Sequence, residues 1–222
     1  IHIGDTYWND IMKKKRPESE RKDLNQESLR SVNLGQNMNP GLSLVSTPIG
    51  NLEDMSFRAI RVLGEADVVY CEDTRRTHQL IEYFKINLKS PLKSFHDHSS
   101  PRALETIREA WRSNLHLAYC TDGGMPVVSD PGFVLVREAR KLGISVNVVP
   151  GPTALTTLFA ASALPSPKLF FHGFFPKTHG EVERVIELIK SLPVVHVFYE
   201  APSRIQNTTN ILLKNIPNAQ MV

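Results

Sequence analysis

From Gly41 onward the chain alternates short runs of β-forming residues with amphipathic stretches, and this alternation restricts its fold more than any other feature. Strand, helix and strand repeated in that order are the units of a parallel sheet covered by crossover helices. The runs read as strands are Leu42 to Ser46, Asp67 to Cys71, Leu92 to Phe95, Leu115 to Thr121 and Ser145 to Val149. Between them Phe57, Ile60 and Leu63 share one helical face, with Gly64 placed to close that helix. Ser100 and Pro101 form a cap and first-turn pair opening a helix that buries Leu104, Ile107 and Trp111. Asp130 and Pro131 repeat the device before Phe133 to Lys141, with Gly143 at the far end.

After Pro150-Gly151-Pro152 comes a helix-like run from Thr153 to Ala163, interrupted by Pro165 and Pro167. A second set follows: strand Leu169 to His172, helix Glu181 to Ser191, strand Val194 to Tyr199 and helix Ser203 to Asn215. The proline pair suggests a domain boundary, giving a first α/β domain over 41–152 and a second over 153–222. Ala219 to Val222 reads as a strand just beginning, so the second sheet is expected to be incomplete, as in a truncated chain. Residues 1–40 differ in texture. Lys13-Lys14-Lys15-Arg16-Pro17 leads into a polar stretch without sustained period, an extension whose charge run reads first as a solvated face.

Composition removes several classes. With 41% hydrophobic residues over 222 positions the chain can build real cores, which excludes disorder over most of its length. No apolar run approaches the roughly 20 residues that cross a bilayer, so no membrane partner is expected. Two cysteines, Cys71 and Cys120, make neither a disulfide framework nor a zinc site, and a reducing, cytoplasmic setting is expected. A net charge of +3 permits binding to an RNA backbone without arguing for it.

In open parallel sheets, ligands bind beyond the carboxyl ends of the strands, where loops converge and helix amino termini point outward. Here those ends carry Thr47-Pro48-Ile49-Gly50-Asn51, Glu72-Asp73-Thr74-Arg75, His96-Asp97-His98, the loop Asp122 to Gly132, and Pro150-Gly151-Pro152-Thr153. Taken singly, most have a structural reading: Asp73 or Thr74 as a cap, Asp130 as another, and Gly123-Gly124 as a turn. His96 and His98 lack a third ligand of obvious spacing, so no metal site is expected. Neither Gly-x-Gly-x-x-Gly nor a phosphate loop is present, which argues against an ordinary dinucleotide site and a phosphate-driven enzyme.

Ser46-Thr47-Pro48-Ile49-Gly50-Asn51-Leu52, Glu72-Asp73-Thr74-Arg75, Phe95-His96-Asp97-His98, the Asp122 to Gly132 loop, Pro150-Gly151-Pro152 and Tyr199-Glu200-Ala201-Pro202-Ser203-Arg204 together resemble the ribosomal RNA small subunit methyltransferase I family, within the tetrapyrrole methylase superfamily. The likeness covers about residues 41 to 222, in the family's order and spacing. It implies two α/β domains, with a five-stranded parallel sheet in the first. It also implies S-adenosylmethionine in the cleft between them, a homodimer, and 2′-O-methylation of a cytidine in the decoding region of 16S rRNA. The family's strand order would set the second strand between the third and fourth, bringing Glu72, Asp73, His96 and Asp122 onto one rim and Cys71 beside Cys120.

On that resemblance the cofactor would lie against Pro48, Asp122, Gly123, Gly124, Pro126, Ser129, Pro150, Gly151 and Thr153, with Phe174 or Tyr199 as an apolar wall. Glu72 and Asp73 are the first candidates to take the ribose proton, with His96 and Glu200 behind them. Arg75, and after it Arg76 and Arg204, would grip flanking phosphates, since guanidinium forks match phosphate oxygens. A tetrapyrrole C-methyltransferase and a catalytically inactive RNA-binding homologue are the alternatives.

Overall fold

The computed structural model describes residues 40–96 and 99–222. The extension over 1–39, and with it the basic cluster, lies outside the described residues, as do Asp97 and His98. In chain order the elements are β1 (Gly41–Val45), α1 (Phe57–Glu65), β2 (Val68–Cys71), α2 (Thr74–Tyr83), β3 (Lys93–Ser94), α3 (Pro101–Arg112), β4 (His116–Cys120), α4 (Phe133–Lys141), β5 (Ser145–Val149), α5 (Ala154–Ala161), β6 (Leu169–Phe174), α6 (His179–Ser191), β7 (Val195–Tyr199) and α7 (Ile205–Asn215). The first five strands form one parallel sheet of order β3-β2-β4-β1-β5, and β6 and β7 form a second parallel pair. The α/β architecture and the expected strand order both hold.

Period-two alternation sends successive side chains of one strand to opposite faces, and here both faces are apolar. Leu42, Leu44, Val68, Tyr70, Leu117 and Tyr119 face α3 and α4 through Ile107, Trp111, Leu135 and Ala139. Val45, Val69, Cys71, Ala118 and Cys120 face the other way, against Ala59, Val62 and Leu63 of α1 and Ile81 of α2. The first face takes the large aromatics. Its rings pack edge to face, Tyr70 on Phe95 at 6.5 Å and Phe95 on Tyr119 at 6.3 Å, and the Tyr119 hydroxyl donates to the Phe95 carbonyl at 3.2 Å.

Side-chain caps fix most helix starts. Ser56 accepts from the Ala59 amide and Ser100 from the Ala103 amide, with Pro101 in the first turn. Two punctuation readings need correction. Gly64 lies inside α1, whose cap is Ala66, because the buried Val62 and Leu63 hold the last turn against the sheet. Asp130 does not cap α4: Gly132 occupies that position at φ 122° with no side-chain cap, and Asp130 turns toward Thr121 instead. Residues 219–222 form no strand.

The second sheet carries a histidine pair. His172 Nε2 lies 2.8 Å from His196 Nδ1, and His196 Nε2 lies 3.0 Å from the Leu192 carbonyl. A carbonyl only accepts, so His196 donates to Leu192 and His172 donates to His196, which fixes both tautomers. Burial, then the neighbouring His196, pushes the His172 imidazole down to about 4. A folded-state value below the unfolded one (about 6.5) means that acid protonates the unfolded chain first, so stability present above pH 6.5 is lost as pH falls toward 4. Thermal melts across that window are expected to fall more steeply for the wild type than for His172→Gln, which keeps a donor but cannot titrate.

Candidate active site

Every loop beyond the first sheet is tied to its neighbour across the rim. The Thr47 amide donates to the Gly124 carbonyl at 3.0 Å and the Gly124 amide returns the bond at 2.9 Å, a two-way bridge between the loops after β1 and β4. The Thr47 hydroxyl adds a bond to the Thr121 carbonyl at 3.1 Å. The Ser46 hydroxyl donates to the Pro152 carbonyl at 2.9 Å, joining β1 to the loop after β5. Gly151 packs so closely there that a Cβ would sit 2.9 Å from that of Ser46. A Cβ on Gly123 would sit 3.1 Å from the Pro48 carbonyl oxygen. These glycines serve close backbone approach, and the loops present main-chain groups rather than side chains.

Pro126 is buried within the same loop, where Val127 and Ser129 sit at φ 76° and 62°. A β-branched residue at positive φ is strained, and such strain gathers at functional sites. Ser129 reaches the second sheet: a Cβ on Gly173 would come within 3.2 Å of its hydroxyl. Phe174, next in sequence, is 56% exposed and meets Tyr199 edge to face at 5.9 Å. The Tyr199 hydroxyl accepts from the Leu155 amide at 3.3 Å, and Thr153 caps the same helix, α5. Pro150 is exposed in the turn between β5 and that cap.

The loops after β2, β3 and β4 carry the charges. Asp122 is the junction: Oδ1 accepts from the Asp73 amide at 3.2 Å, Oδ2 pairs with Arg76 at 3.2 Å, and its own amide donates to Glu72 Oε2 at 3.4 Å. Ser94 donates to the Glu72 carbonyl and lies 3.1 Å from His96 Nε2. Glu72, Asp73, Thr74, Arg75, Ser94, His96 and Asp122 line one open cavity of about 430 Å³. The expected rim is therefore assembled.

Its carboxylates are not equivalent. Asp73 caps α2 through the Arg75 amide at 2.8 Å and grips the Arg75 guanidinium with both oxygens, which holds its carboxyl down to about 2. Asp130 is the residue that sequence reasoning took only for a cap. Burial, then the negative charges of Glu72 and Asp122, push it up to about 6, with Thr121 donating from 3.5 Å. Because the folded value exceeds the unfolded one, stability from this group is lost as pH rises through 6. Asp130→Asn is expected to raise stability at pH 8 by about 1 kcal/mol after screening, and to leave it unchanged near pH 4, in denaturant titrations.

Two expected site residues stand apart from this rim. Glu200 accepts from the Ala201 amide at 2.8 Å, from the Thr208 hydroxyl at 2.6 Å and pairs with Arg204 at 3.2 Å. Arg204 also donates to the Phe175 and Pro176 carbonyls. Both side chains lock the turn before α7. Of the three arginines expected to grip phosphate, Arg75 and Arg76 are exposed, their side chains at 87% and 70% against 26% for Arg204.

A parallel sheet of this order, with backbone-lined loops on one half of its rim and carboxylates on the other, defines an α/β protein with a ligand-sized site at the strand ends, and comparison with known proteins makes the class specific. The chain belongs to the family described as Tetrapyrrole (Corrin/Porphyrin) Methylases, whose model matches residues 41–222, and it is a methyltransferase. It is 40% identical over 180 residues to the ribosomal RNA small subunit methyltransferase I of Thermotoga maritima, covering 81% of this chain and 80% of that one. It is 41% identical over 178 residues to the protein of that name from Coprothermobacter proteolyticus, at 80% of each chain. The one from Halalkalibacterium halodurans is 40% identical over 177 residues, 80% of this chain and 61% of its own length. Among solved structures, the uroporphyrin-III-C-methyltransferase of Thermus thermophilus shares the fold, with a TM-score of 0.54 and 21% identity over 80% of this chain and 75% of that one. Cobalt precorrin-4 methyltransferase does so with a TM-score of 0.57 and 18% identity, over 81% and 74%.

Proposed function

We propose that the chain methylates the 2′-hydroxyl of a cytidine in the decoding region of 16S rRNA, taking the methyl group from S-adenosylmethionine. One observation carries the reading: the Asp122 junction joins a carboxylate-lined cavity, flanked by exposed Arg75 and Arg76, directly to the bridged Thr47–Gly124 loops. The names of the relatives supply the substrate class. The backbone-presenting loops suit a ligand with an adenine and an amino acid end, both rich in hydrogen-bonding groups, and Phe174 offers it an apolar wall. Pro48, Asp122, Gly123, Gly124, Pro126, Ser129, Pro150, Gly151 and Thr153 would hold it, with Phe174 and Tyr199 from the second domain. The domain boundary falls at the Pro150 to Thr153 turn in this reading. The protein would act in the cytoplasm as a homodimer; among the described residues no helix is long and apolar enough to cross a membrane.

When bound, the sulfonium supplies an activated methyl group, so the protein needs no covalent intermediate. Its residues orient the ribose and accept its proton. Orientation accounts for roughly 7 to 11 kcal/mol of barrier and a general base for about 3 to 5, so placement dominates. Glu72 is the proton acceptor: Asp73 is held by Arg75 as a weak base, and Glu200 is spent on Thr208 and the Ala201 amide. His96, tethered by Ser94 at the cavity edge, is the second candidate. Arg75 and Arg76 grip the flanking phosphates.

The test is transfer of labelled methyl from S-adenosylmethionine to small ribosomal subunits, to naked rRNA and to uroporphyrinogen. Label in a cytidine ribose of the subunit supports the reading. Label in the tetrapyrrole would favour the C-methyltransferase alternative that the shared fold allows. No heat and no thermal shift on adding S-adenosylmethionine would favour an inactive RNA-binding homologue. Arg75→Ala is expected to weaken rRNA binding and lower the salt slope by about one, with cofactor affinity unchanged by calorimetry.

A further inference from the structure

Beside the carboxylate-lined cavity, and sharing Asp122 as a wall with it, lies a second cavity of about 440 Å³. Its lining is mixed. Leu52 and the Tyr83 ring supply apolar surface, Thr47 and Gln79 supply uncharged polar groups, and the Arg76–Asp122 pair closes the side nearest the rim. Tyr83 stands at the end of α2 with 61% exposure, and its ring is braced edge to face on Phe84 at 4.9 Å. Leu52 is 38% exposed. The Gln79 amide, exposed on α2, makes no hydrogen bond among the described residues. A core position would not leave an aromatic ring, a leucine and an amide together in the open, beside the Arg76 guanidinium.

That combination is the chemistry of an unstacked nucleobase: a ring face to stack on, an amide to read a hydrogen-bonding edge, and a cation beside it for the backbone. We infer that this cavity receives the base of the nucleotide whose ribose is methylated, with the ribose over Asp122 and its hydroxyl toward Glu72. The inference rests on the RNA reading above and deepens it. Tyr83 stacks on the extruded base, Gln79 contacts its edge, and Arg76 is drawn to the phosphate side. The carboxylates then sit on the sugar and not on the base, which explains why the polar and the mixed cavities are adjacent but separate.

The experiment uses the full chain and single-stranded RNA oligonucleotides identical except at one position, which carries either cytidine or an abasic ribose. Fluorescence anisotropy should show the cytidine form binding at least tenfold tighter, the scale of one base–aromatic stack. Tyr83→Ala should erase that difference while leaving the salt slope unchanged, and Tyr83→Phe should keep it. Equal binding of the two oligonucleotides, absence of binding by both, or equal losses for both in Tyr83→Ala would overturn the inference. Thermal melting of Tyr83→Ala checks folding, and the exposure of the ring makes a large shift unexpected. Methyl transfer to small subunits by the wild type is measured in parallel, so a failure of the RNA reading is seen apart from a failure of the base pocket.

Discussion

Glu72→Gln should slow single-turnover methyl transfer by two or more orders of magnitude while both ligands stay bound, the scale of a lost general base. The amide keeps the shape of the side chain and can still accept from the Asp122 amide, so the loop geometry survives. Asp73→Asn is the matched comparison. Asparagine also caps helices well, and a carboxyl held near 2 has little basicity to lose, so this change should cost less than tenfold in the chemical step. If the two variants exchange these outcomes, Asp73 is the base. Should neither slow the step tenfold, the proton goes to His96 or to water. Loss of RNA binding in Glu72→Gln would assign Glu72 to positioning instead.

Gly132→Val should be the most destabilising single change near the site, by about 3 kcal/mol or more. Two costs add. The residue sits at φ 122°, where an L side chain is strained by roughly 1–3 kcal/mol, and its Cβ would lie 2.8 Å from a ring carbon of Tyr119. Tyr119 is fully buried and bonded to the Phe95 carbonyl, so the ring cannot yield without opening the aromatic face of the core, a further roughly 1–3 kcal/mol. Chemical denaturation gives the value. Gly180→Ala is the control: it lies in α6 with nothing within 4 Å of a Cβ and should be neutral or slightly stabilising. A Gly132→Val protein as stable as the wild type would mean that the loop after β4 is free to rearrange, and the strain argued for Val127 and Ser129 would go with it.

Most of the first sheet was legible because its signals are local. The short β-rich runs of β1, β2, β4 and β5 are bounded by turn-forming residues, and Ser100-Pro101 marks a helix start whatever surrounds it. What failed depended on distant groups. Asp130 reads as a cap from its neighbours alone, and only the fold brings it into reach of Glu72 and Asp122, whose charges change its character. Gly64 reads as a stop because glycine ends helices, yet the burial of its neighbours carries α1 one residue further. The run from Leu92 to Phe95 forms a strand only over Lys93 and Ser94, with the Phe95 amide still donating to the Cys71 carbonyl beyond them. In the candidate site, the resemblance named the rim residues in one step, and the fold brings Glu72, Asp73, His96 and Asp122 to one cavity. It did not separate Glu72 from Asp73, because the difference lies in the Arg75 fork. It also put Glu200 and Arg204 among the site residues, whereas their partners tie them to the turn before α7.

Cys71 and Cys120 face each other in register on β2 and β4, both fully buried, and burial raises both thiols, that of Cys120 to about 12. They are the only cysteines in the chain. Only thiolate reacts with an alkylating reagent, and neither sulfur meets solvent while the strands stay paired. Labelling therefore keeps time for the opening of the sheet directly beneath Glu72 and Asp122. The mass added per minute, with and without S-adenosylmethionine, would read how firmly the proposed cofactor clamps the sheet beneath it, with no probe attached to the protein.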